Sequence, residues 1–482
     1  MRYVTYVAKI GSFLKGRRHC QAALVVIILV CFSRPSWGQT AAAFQAQEAP
    51  SLTGPLQRAS RGTTQLHILY VHGMGIDTPK HSNGPQDFEV SQEFRTNFCN
   101  AIHCRKTAGQ VKGGEFLGRY YADQADFGPA AGPPPLLYLG KDLWQESATN
   151  DEWHAAAPFV DHYKLVRRDG TFIYVDEINW WPLIMSAKCR LIVDAEIALV
   201  DRDKKHVATC TAKTVEEGPN DPDPNHQHRY KSFAWITDDQ KHDPSWPEPA
   251  VINRSLKQNI LDWGFADAIL AVGPMRRYLI EGIREVVLES LRQAEQNQEK
   301  NPEKKPEFVV VSHSLGSYLM FSELDLQDDP QEANHPEWKT DFERLLGKTS
   351  QAYFMANQVR LLELANLDDT KNGNLLEHLK TWADARRNAH QPTPQIVAWS
   401  DPDDLLTWKV PDLEQDVPGT NGEYVTVQNR PAQNAWRWFW LLESPTSAHT
   451  KYDQNKSVLR IMVPKPDAPP APPAAEGAKA AP

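Results

Sequence analysis

A serine flanked by small residues lies where an apolar run gives way to a helical pattern. Residues 308–311 (FVVV) are followed by 312–316 (SHSLG) and then by a helix-forming stretch. A sharp turn from a strand into a helix lifts its central serine out of the sheet, and it needs small residues two positions before and after. The spacing predicts Ser314 as a nucleophile, with Gly316 on one side and Ser312 in place of the more usual glycine. The plain alternative is a strand–turn–helix with incidental serines.

A second short motif has the composition to stabilise the negative charge that a serine attack creates. Residues 69–75 (LYVHGMG) form a buried-strand pattern that runs into glycines, which let the backbone turn its N–H groups towards a substrate. The pattern predicts an oxyanion hole made by the backbone N–H of Met74 and that of Leu315, which opens the helix after the nucleophile. We expect His72 to hold this loop by hydrogen bonds rather than to act as a base.

An aspartate-rich loop supplies three candidates for the group that orients a catalytic histidine. Residues 397–408 (VAWSDPDDLLTW) have the pattern of a strand that leads into this loop. The acid must hold the imidazole and stabilise its positive charge. Asp404 is the first choice, because it lies on the loop leaving the strand, just before two leucines. Asp401 precedes a proline and fits a turn former, so it is the alternative acid, and Asp403 is third.

One histidine of the 16 in the chain stands in the right order to be the base. His449 lies within residues 444–463, in a small polar loop ahead of an amphipathic helical pattern, where a base can move between nucleophile and leaving group. The order Ser314, Asp404, His449 predicts a triad in which His449 takes the serine proton and the aspartate steadies the imidazolium. A lone histidine is more often structural, and only its position and order favour this one.

Together these segments resemble the α/β-hydrolase superfamily, in its lipase- and esterase-like branch. The stretch 404–408 (DLLTW), followed by 447–452 (SAHTKY), is similar to the acid and histidine segments of lipase-like and DDHD-type phospholipase relatives, in which a D-P-V-A-Y segment carries the acid. The resemblance is confined to the surroundings of the motifs. It implies hydrolysis of a carboxylic ester, from a small molecule or a lipid, without a metal or an organic cofactor. It does not fix the substrate, since this fold hosts many chemistries.

The alternation of apolar runs with helical patterns predicts an α/β fold over residues 65–465, with a mostly parallel central sheet and helices on both faces. The predicted strands are 66–71, 163–166, 172–179, 308–311, 395–399, 424–428 and 436–442. The predicted helices are 85–103, 183–200, 252–296 with a break near 273–274, 315–321 and 351–365. Residues 168–170 (RDG) predict a tight hairpin turn.

Four stretches fall outside this alternation. Residues 39–64 have the composition of a flexible leader, and 466–482, rich in Pro and Ala, that of a disordered tail without core material. Residues 109–156 and 213–249 are loop-rich insertions, which in a compact enzyme are usually lids, rim loops or flexible excursions. Within the second insertion, 221–228 (DPDPNHQH) fits no tight ligand template, so we predict no metal site.

The first 38 residues have the pattern of a signal peptide. A basic stretch precedes an apolar core at residues 22–32, and Ser36 and Gly38 put small residues before a cut at Gln39. The pattern predicts export to the periplasm or secretion. An uncleaved membrane anchor is the alternative, and it would be the only predicted contact with a membrane.

The charge balance and the cysteines narrow the class of protein. The formal net charge is −9, and it becomes six units more negative without the first 38 residues, which hold six Lys or Arg and no acidic residue. Such a chain is a poor candidate for binding nucleic acid. Export favours disulfides, and the four cysteines after residue 38 allow three patterns of pairing: Cys99, Cys104, Cys189 and Cys210. The oligomeric state is left open.

Three other interpretations are open at this point. The chain could be a catalytically inactive scaffold of the same fold that acts as a binding protein. It could apply the same triad to amide hydrolysis, thioester cleavage or acyl transfer to an alcohol. It could instead bind a partner through its insertions. Replacement of Ser314 separates these functions, because binding would survive it and hydrolysis would not.

Overall fold

The structure is a computed structural model, and it describes part of the chain. The described residues are 50–74, 89–105, 114–122, 154, 156–188, 195–202, 205–212, 265–273, 276–322, 336–363, 375–410, 425–434 and 445–464. The predicted signal peptide, the tail at 466–482, the insertion at 213–249 and the predicted strand at 436–442 lie outside these ranges.

Strands within the described ranges build one large sheet and one small one. They are β1 (Thr64–Val71), β2 (Glu115–Tyr121), β3 (Phe159–Val166), β4 (Phe172–Asn179), β5 (Ala195–Arg202), β6 (Lys205–Ala212), β7 (Lys305–His313), β8 (Thr349–Met355), β9 (Gln395–Ser400) and β10 (Thr426–Pro431). The large sheet has the order β10-β9-β8-β7-β1-β4-β3-β2, and β5 pairs with β6. Neighbours from β10 to β4 are parallel, whereas β3 is antiparallel to both β4 and β2. The prediction of an α/β fold with a mostly parallel sheet is confirmed.

Helices connect most of these strands. They are α1 (Thr53–Ser60), α2 (Glu89–Ala101), α3 (Trp181–Lys188), α4 (Ala266–Val272), α5 (Arg276–Lys300), α6 (Leu315–Ser322), α7 (Pro336–Lys348), α8 (Val359–Glu363), α9 (Leu375–Asn388), α10 (Pro445–Thr450) and α11 (Lys456–Met462). Within the described part of the chain, none of the helices is long and apolar enough to cross a membrane.

Apolar side chains fill the space on both faces of the sheet, because successive residues of a strand point to opposite faces. In β7, Phe308 and Val310 belong to one core cluster, and Val309 and Val311 belong to the other. The first cluster includes side chains of α5, α7 and α9, and the second includes side chains of α1, α2 and α11. Helices therefore pack on both faces, which explains why the parallel strands have nearly continuous apolar sequences.

The carboxyl ends of β1, β7 and β8 meet at one edge of the sheet. Val71 pairs with Ser312 in the register of β1 and β7, and His313 pairs with Met355 in that of β7 and β8. In open α/β sheets, ligands bind outside the carboxyl ends of the strands. The residues that follow these strands are therefore the ones to inspect for a site.

Two of the predicted helices are wrong in part. The prediction over 351–365 fails in its first half, since Thr349–Met355 is strand β8 and only Val359–Glu363 is helical. The prediction over 183–200 fails in its second half, where Ala195–Arg202 pairs as β5. A short apolar run has no period that separates a buried strand from a helix, so tertiary pairing decides between them.

The predicted boundaries need two corrections. Residues 39–64 are not a flexible leader throughout, because Thr53–Ser60 forms α1 with Leu56 and Ala59 buried. The backbone N–H of Leu52 also donates to the carbonyl of Met462, 2.8 Å away. The insertion at 109–156 contains β2, which is the antiparallel edge strand of the large sheet. Local composition misses α1 because only three of its eight residues are buried, and it misses β2 because the partner strand β3 lies beyond the rest of the insertion.

The structure selects one of the disulfide pairings that the sequence leaves open. Cys99, near the end of α2, is bonded to Cys104. Cys210 lies on β6, and Cys189 lies outside the described residues.

Candidate active site

Ser314 forms the connection between β7 and α6. Strand β7 ends at His313 and α6 begins at Leu315, so a single residue makes the turn. Its φ of 53° lies in the left-handed region that residues with a side chain seldom adopt. The backbone N–H of Ser314 donates to the carbonyl of Met355 on β8, 2.8 Å away, and this bond holds the strained turn in place. The predicted strand-to-helix turn is present, and we call residues 312–316 the serine turn.

Two glycines allow the serine turn to be this tight. A Cβ on Gly316 would lie 2.5 Å from the carbonyl oxygens of both Val71 and His72, so no larger residue fits where α6 crosses the end of β1. A Cβ on Gly73 would lie 2.6 Å from the Cβ of Ser314. The loop after β1 therefore packs directly against the serine, which is the placement that an oxyanion loop requires.

Ser314, His449 and Asp404 form a continuous hydrogen-bonded chain. The Oγ of Ser314 lies 2.7 Å from Nε2 of His449. Nδ1 of His449 lies 2.9 Å from each carboxylate oxygen of Asp404. Because an ionised carboxylate can only accept, Nδ1 carries the proton and Nε2 is left to accept the serine hydroxyl. All three side chains are buried, and the structure thus brings together the three residues that the sequence singled out.

Hydrogen-bond donors keep the carboxylate of Asp404 ionised. Burial alone would raise its pKa, but the hydrogen bonds from His449, Thr407 and the Leu406 backbone together lower the pKa below its ordinary value. The N–H of Leu406 lies 3.0 Å from Oδ1, and the hydroxyl of Thr407 donates to Oδ2. A carboxylate held ionised in this way can stabilise a positively charged imidazole.

Asp401, the alternative acid, has a different role. Its carboxylate accepts the backbone N–H of Asp403 at 3.0 Å and that of Asn434 at 2.6 Å. Its own N–H donates to the hydroxyl of Tyr452, 2.6 Å away. These contacts are those of a turn former, as expected of a residue before proline. The structure places Asp404, and not Asp401, against the imidazole, so the alternative assignment is wrong.

His449 is carried by a short helix and not by the loop that its surroundings predict. The helix is α10, and a turn leads from it into α11. The carbonyl of His449 accepts Nε2–H of His313 at 3.0 Å. The preceding carbonyl, that of Ala448, accepts Nδ2–H of Asn434 at 2.7 Å. The backbone around the candidate base is therefore fixed by one residue from β7 and one that follows β10.

Two further histidines at this edge are held neutral. Burial first, and then the proximity of His449, lowers the pKa of His313 to about 3. Burial likewise lowers the pKa of His72 to about 4. Nδ1–H of His72 donates to the carbonyl of Gly73 at 2.8 Å, and its ring stacks on Trp180. His72 thus holds the loop after β1, as predicted, and adds no charge beside the triad.

The two amides predicted to bind an oxyanion lie on either side of the serine. Leu315 follows Ser314 as the first residue of α6, and Met74 follows Gly73, which approaches the serine side chain. Within the described ranges, neither amide donates a hydrogen bond to another protein group. The start of α6 also contributes partial positive charge. These two N–H groups are therefore the candidates for binding a substrate oxygen.

Asn357, which the sequence did not single out, links the serine turn to the loop that carries the acid. It follows β8 and has no exposed surface. Its Nδ2–H donates to the carbonyl of Trp408, and its own carbonyl accepts the N–H of that residue, both at 3.0 Å. Its Oδ1 lies 3.4 Å from the hydroxyl of Ser317, which donates to the carbonyl of Ser314 at 2.6 Å. These partners are 40 and 51 residues away, so no local pattern marks Asn357.

In the part of the chain that the structure describes, no group of three or more His, Cys, Asp or Glu side chains could hold a metal ion. The chain matches no protein-family model, no curated protein and no solved structure.

Proposed function

We propose that this chain is an exported serine hydrolase of the α/β-hydrolase type that cleaves a carboxylic ester. The observation that carries the proposal is the hydrogen-bonded chain from Ser314 Oγ through His449 to Asp404, with the serine on a strained left-handed turn. A serine hydroxyl is a weak nucleophile until an adjacent base takes its proton, and a histidine oriented by a carboxylate is such a base.

The topology supports the α/β-hydrolase assignment. The nucleophile follows β7 in the middle of the large sheet, and the candidate oxyanion loop follows the neighbouring strand β1. The acid follows β9 and the histidine comes after β10. This is the chain order of serine, acid and histidine in that fold, where the second oxyanion amide comes from a loop after another strand.

The reaction is acyl transfer through a covalent intermediate. Nε2 of His449 takes the proton of Ser314 Oγ as that oxygen attacks the ester carbonyl carbon, and the carbonyl electron pair moves onto its oxygen. The N–H groups of Met74 and Leu315 hold this oxyanion, while Asp404 stabilises the imidazolium. The oxyanion then re-forms the carbonyl and the bond to the alcohol oxygen breaks. The imidazolium protonates the departing alcohol, and an acyl-serine remains. The same nitrogen then deprotonates a water molecule, which attacks the acyl carbon. The carboxylic acid product departs as Ser314 Oγ takes a proton back from the imidazolium.

Access to the serine depends on movement near the site. Ser314 has no exposed surface, and His449 is 3% exposed. An ester therefore reaches the hydroxyl only when neighbouring groups move aside. The same triad chemistry applies to amides, thioesters and acyl transfer to an alcohol, so a substrate panel has to include these classes beside small-molecule and lipid esters.

Labelling with a fluorescent fluorophosphonate tests for the activated serine. We expect the wild-type protein to be labelled and Ser314→Ala to lose the label. Ser312→Ala is the matched control, because its buried hydroxyl has no hydrogen-bond partner among the described residues and lies two positions from the nucleophile. It should keep the label, and hydrolysis of esters of increasing acyl length then defines the substrate.

Two outcomes would contradict the proposal. One is a label that persists in Ser314→Ala. The other is well-folded wild-type protein that stays unlabelled in detergent as well as in buffer, which would favour an inactive scaffold. Slow labelling that detergent accelerates would instead support the proposal, with a closed entrance to the buried serine.

A further inference from the structure

A buried tyrosine joins the loop that carries the acid to the segment that carries the base. Tyr452 follows His449 closely in the chain and has no exposed surface. Its hydroxyl accepts the N–H of Asp401 at 2.6 Å and donates to Oδ2 of Asp404 at 3.3 Å. One oxygen atom therefore contacts both ends of the turn that presents the acid.

A second bridge between the same two segments runs through Asn434. Its backbone N–H donates to Oδ2 of Asp401 at 2.6 Å, and its Nδ2–H donates to the carbonyl of Ala448 at 2.7 Å. Ala448 immediately precedes His449. Oδ1 of Asn434 accepts Nδ2–H of Asn455, 2.8 Å away, which fixes the orientation of the amide. The carboxylate of Asp401 is thus tied to the backbone that carries the candidate base.

We infer that Tyr452, Asp401 and Asn434 form a positioning clamp that sets the distance between Asp404 and His449. The inference rests on the proposed function and deepens it, because it gives Asp401 a role other than that of the acid. Nδ1 of the imidazole is shared evenly between the two carboxylate oxygens, at 2.9 Å each. A small rotation of the acid loop would break this arrangement, and misplacement of a catalytic group by about 1 Å costs on the order of 100-fold in rate.

Removal of the Tyr452 hydroxyl is the smallest change that opens the clamp. Tyr452→Phe leaves the ring in place, takes one donor from Asp404 and leaves the N–H of Asp401 buried without its acceptor. Tyr353→Phe is the matched control. Tyr353 is also fully buried, and its hydroxyl donates to Oε1 of Gln351 at 3.0 Å, with the carbonyl of Pro50 3.3 Å away and no contact to the triad.

The first measurement compares the two variants in labelling rate and in kinetics with the best ester. We expect Tyr452→Phe to lower both the fluorophosphonate labelling rate and kcat by about tenfold with KM nearly unchanged, because the base is misplaced while the binding site is intact. Both variants should lower the melting temperature by a similar amount. Tyr353→Phe, however, should leave the labelling rate, kcat and KM as in the wild type. If the role of Tyr452 is purely structural, both variants should lose stability and keep the labelling rate, kcat and KM of the wild type.

The second measurement observes the His449 ring without relying on catalysis. The proton on Nδ1 should give a strongly downfield NMR resonance, which His449→Ala assigns by removing it. This assignment is necessary because His67 and His162 also donate to a buried carboxylate, that of Asp176. We expect Tyr452→Phe to shift or broaden the assigned resonance and to leave the other two unchanged.

The outcomes separate this inference from the proposed function. If the labelling rate and the assigned resonance of Tyr452→Phe both match those of the wild type, the clamp is overturned. If well-folded wild-type protein is labelled neither in buffer nor in detergent, the proposed function fails, and the resonance alone decides whether Tyr452 positions the imidazole.

Discussion

The two halves of the large sheet place their buried polar groups differently. In the half formed by β7, β8 and β9, the groups of the candidate site lie on the loops after the strands and on α10. In the half formed by β2, β3 and β4, buried or partly buried polar groups lie within the strands and pair with neighbours. The pairs are Arg119 with Asp161, Arg95 of α2 with Glu177, and both His162 and His67 of β1 with Asp176.

A buried histidine–aspartate pair is present in both halves, so the pair alone does not mark a site. Nδ1 of His449 lies 2.9 Å from Asp404, and Nδ1 of His162 lies 2.7 Å from Asp176. The difference is at the other ring nitrogen. Nε2 of His449 faces the hydroxyl of Ser314, whereas Nε2 of His162 has no hydrogen-bond partner within the described ranges. The strained serine at the end of a strand is what sets the His449 pair apart from the His162 pair.

Replacement of the two histidines should separate the halves most strongly. His449→Ala removes the proposed base, so we expect kcat to fall by about 10⁴-fold. It also takes one donor from the buried Asp404, so its stability should fall about as much as that of His162→Ala, and activity alone separates the two variants. His162→Ala leaves Asp176 with one donor fewer in a buried site, so it should lower the free energy of unfolding by about 2 kcal/mol and leave the labelling rate near that of the wild type. Ester kinetics measure the loss in kcat, urea unfolding measures the loss in stability, and fluorophosphonate labelling measures the reactivity of Ser314 in both variants. A fall in activity in His162→Ala at intact folding would show that both pairs serve the reaction.

Addition of one methyl group at a glycine should also distinguish the halves. Gly316→Ala places a Cβ 2.5 Å from two carbonyl oxygens, so we expect a loss of about 3 kcal/mol in stability and a displaced serine turn. Gly118→Ala on β2 meets no atom within 4 Å and should change stability by less than about 1 kcal/mol. Urea midpoints and labelling rates measure both effects. Equal midpoints for the two variants would mean that the serine turn has room to relax.

The pH dependence of the unfolding free energy at acid pH should show the contribution of the hydrogen bonds to Asp176. Burial alone would raise the pKa of Asp176, but the hydrogen bonds from His162 and His67 lower it to about 2. A folded-state pKa below the unfolded value stabilises the protein above about pH 4, and this contribution of about 2 kcal/mol is lost as the pH falls towards 2. Asp176→Asn should therefore give a flatter dependence of unfolding free energy on pH between about 4 and 2. The urea midpoint across this range tests it, and a slope equal to that of the wild type would contradict the pairing.

Local sequence patterns predicted the residues of the site better than they predicted the contacts that hold them. Ser314 follows a strand and precedes a helix, and His449 lies downstream of the acid, so order and spacing were enough to single out both. The sequence ranks Asp404 ahead of Asp401 on the same loop, and the structure agrees with that ranking, since only Asp404 lies against the imidazole. Tyr452 and Asn434 had no local signal at all, since their partners come from other segments.

In the fold, too, local patterns predict the broad arrangement better than the individual elements. The alternation of apolar runs with helical patterns was enough to predict a mostly parallel α/β sheet. Strand β8 was mistaken for a helix, because a strand buried on both faces is apolar throughout and has no alternation to reveal it. The short helix α1 gives only a weak local signal, because three of its eight residues are buried.

The hydrogen bond between Leu52 and Met462 has a consequence for the order of folding. It joins the residue before α1 to the last residue of α11, so it forms only when both ends of the described chain lie on the same core. Ser314 and His449 are themselves 135 residues apart in the sequence. The serine turn can therefore form with its neighbouring strands before its histidine arrives, and the arrangement that would activate the serine is completed only after the chain between them has folded.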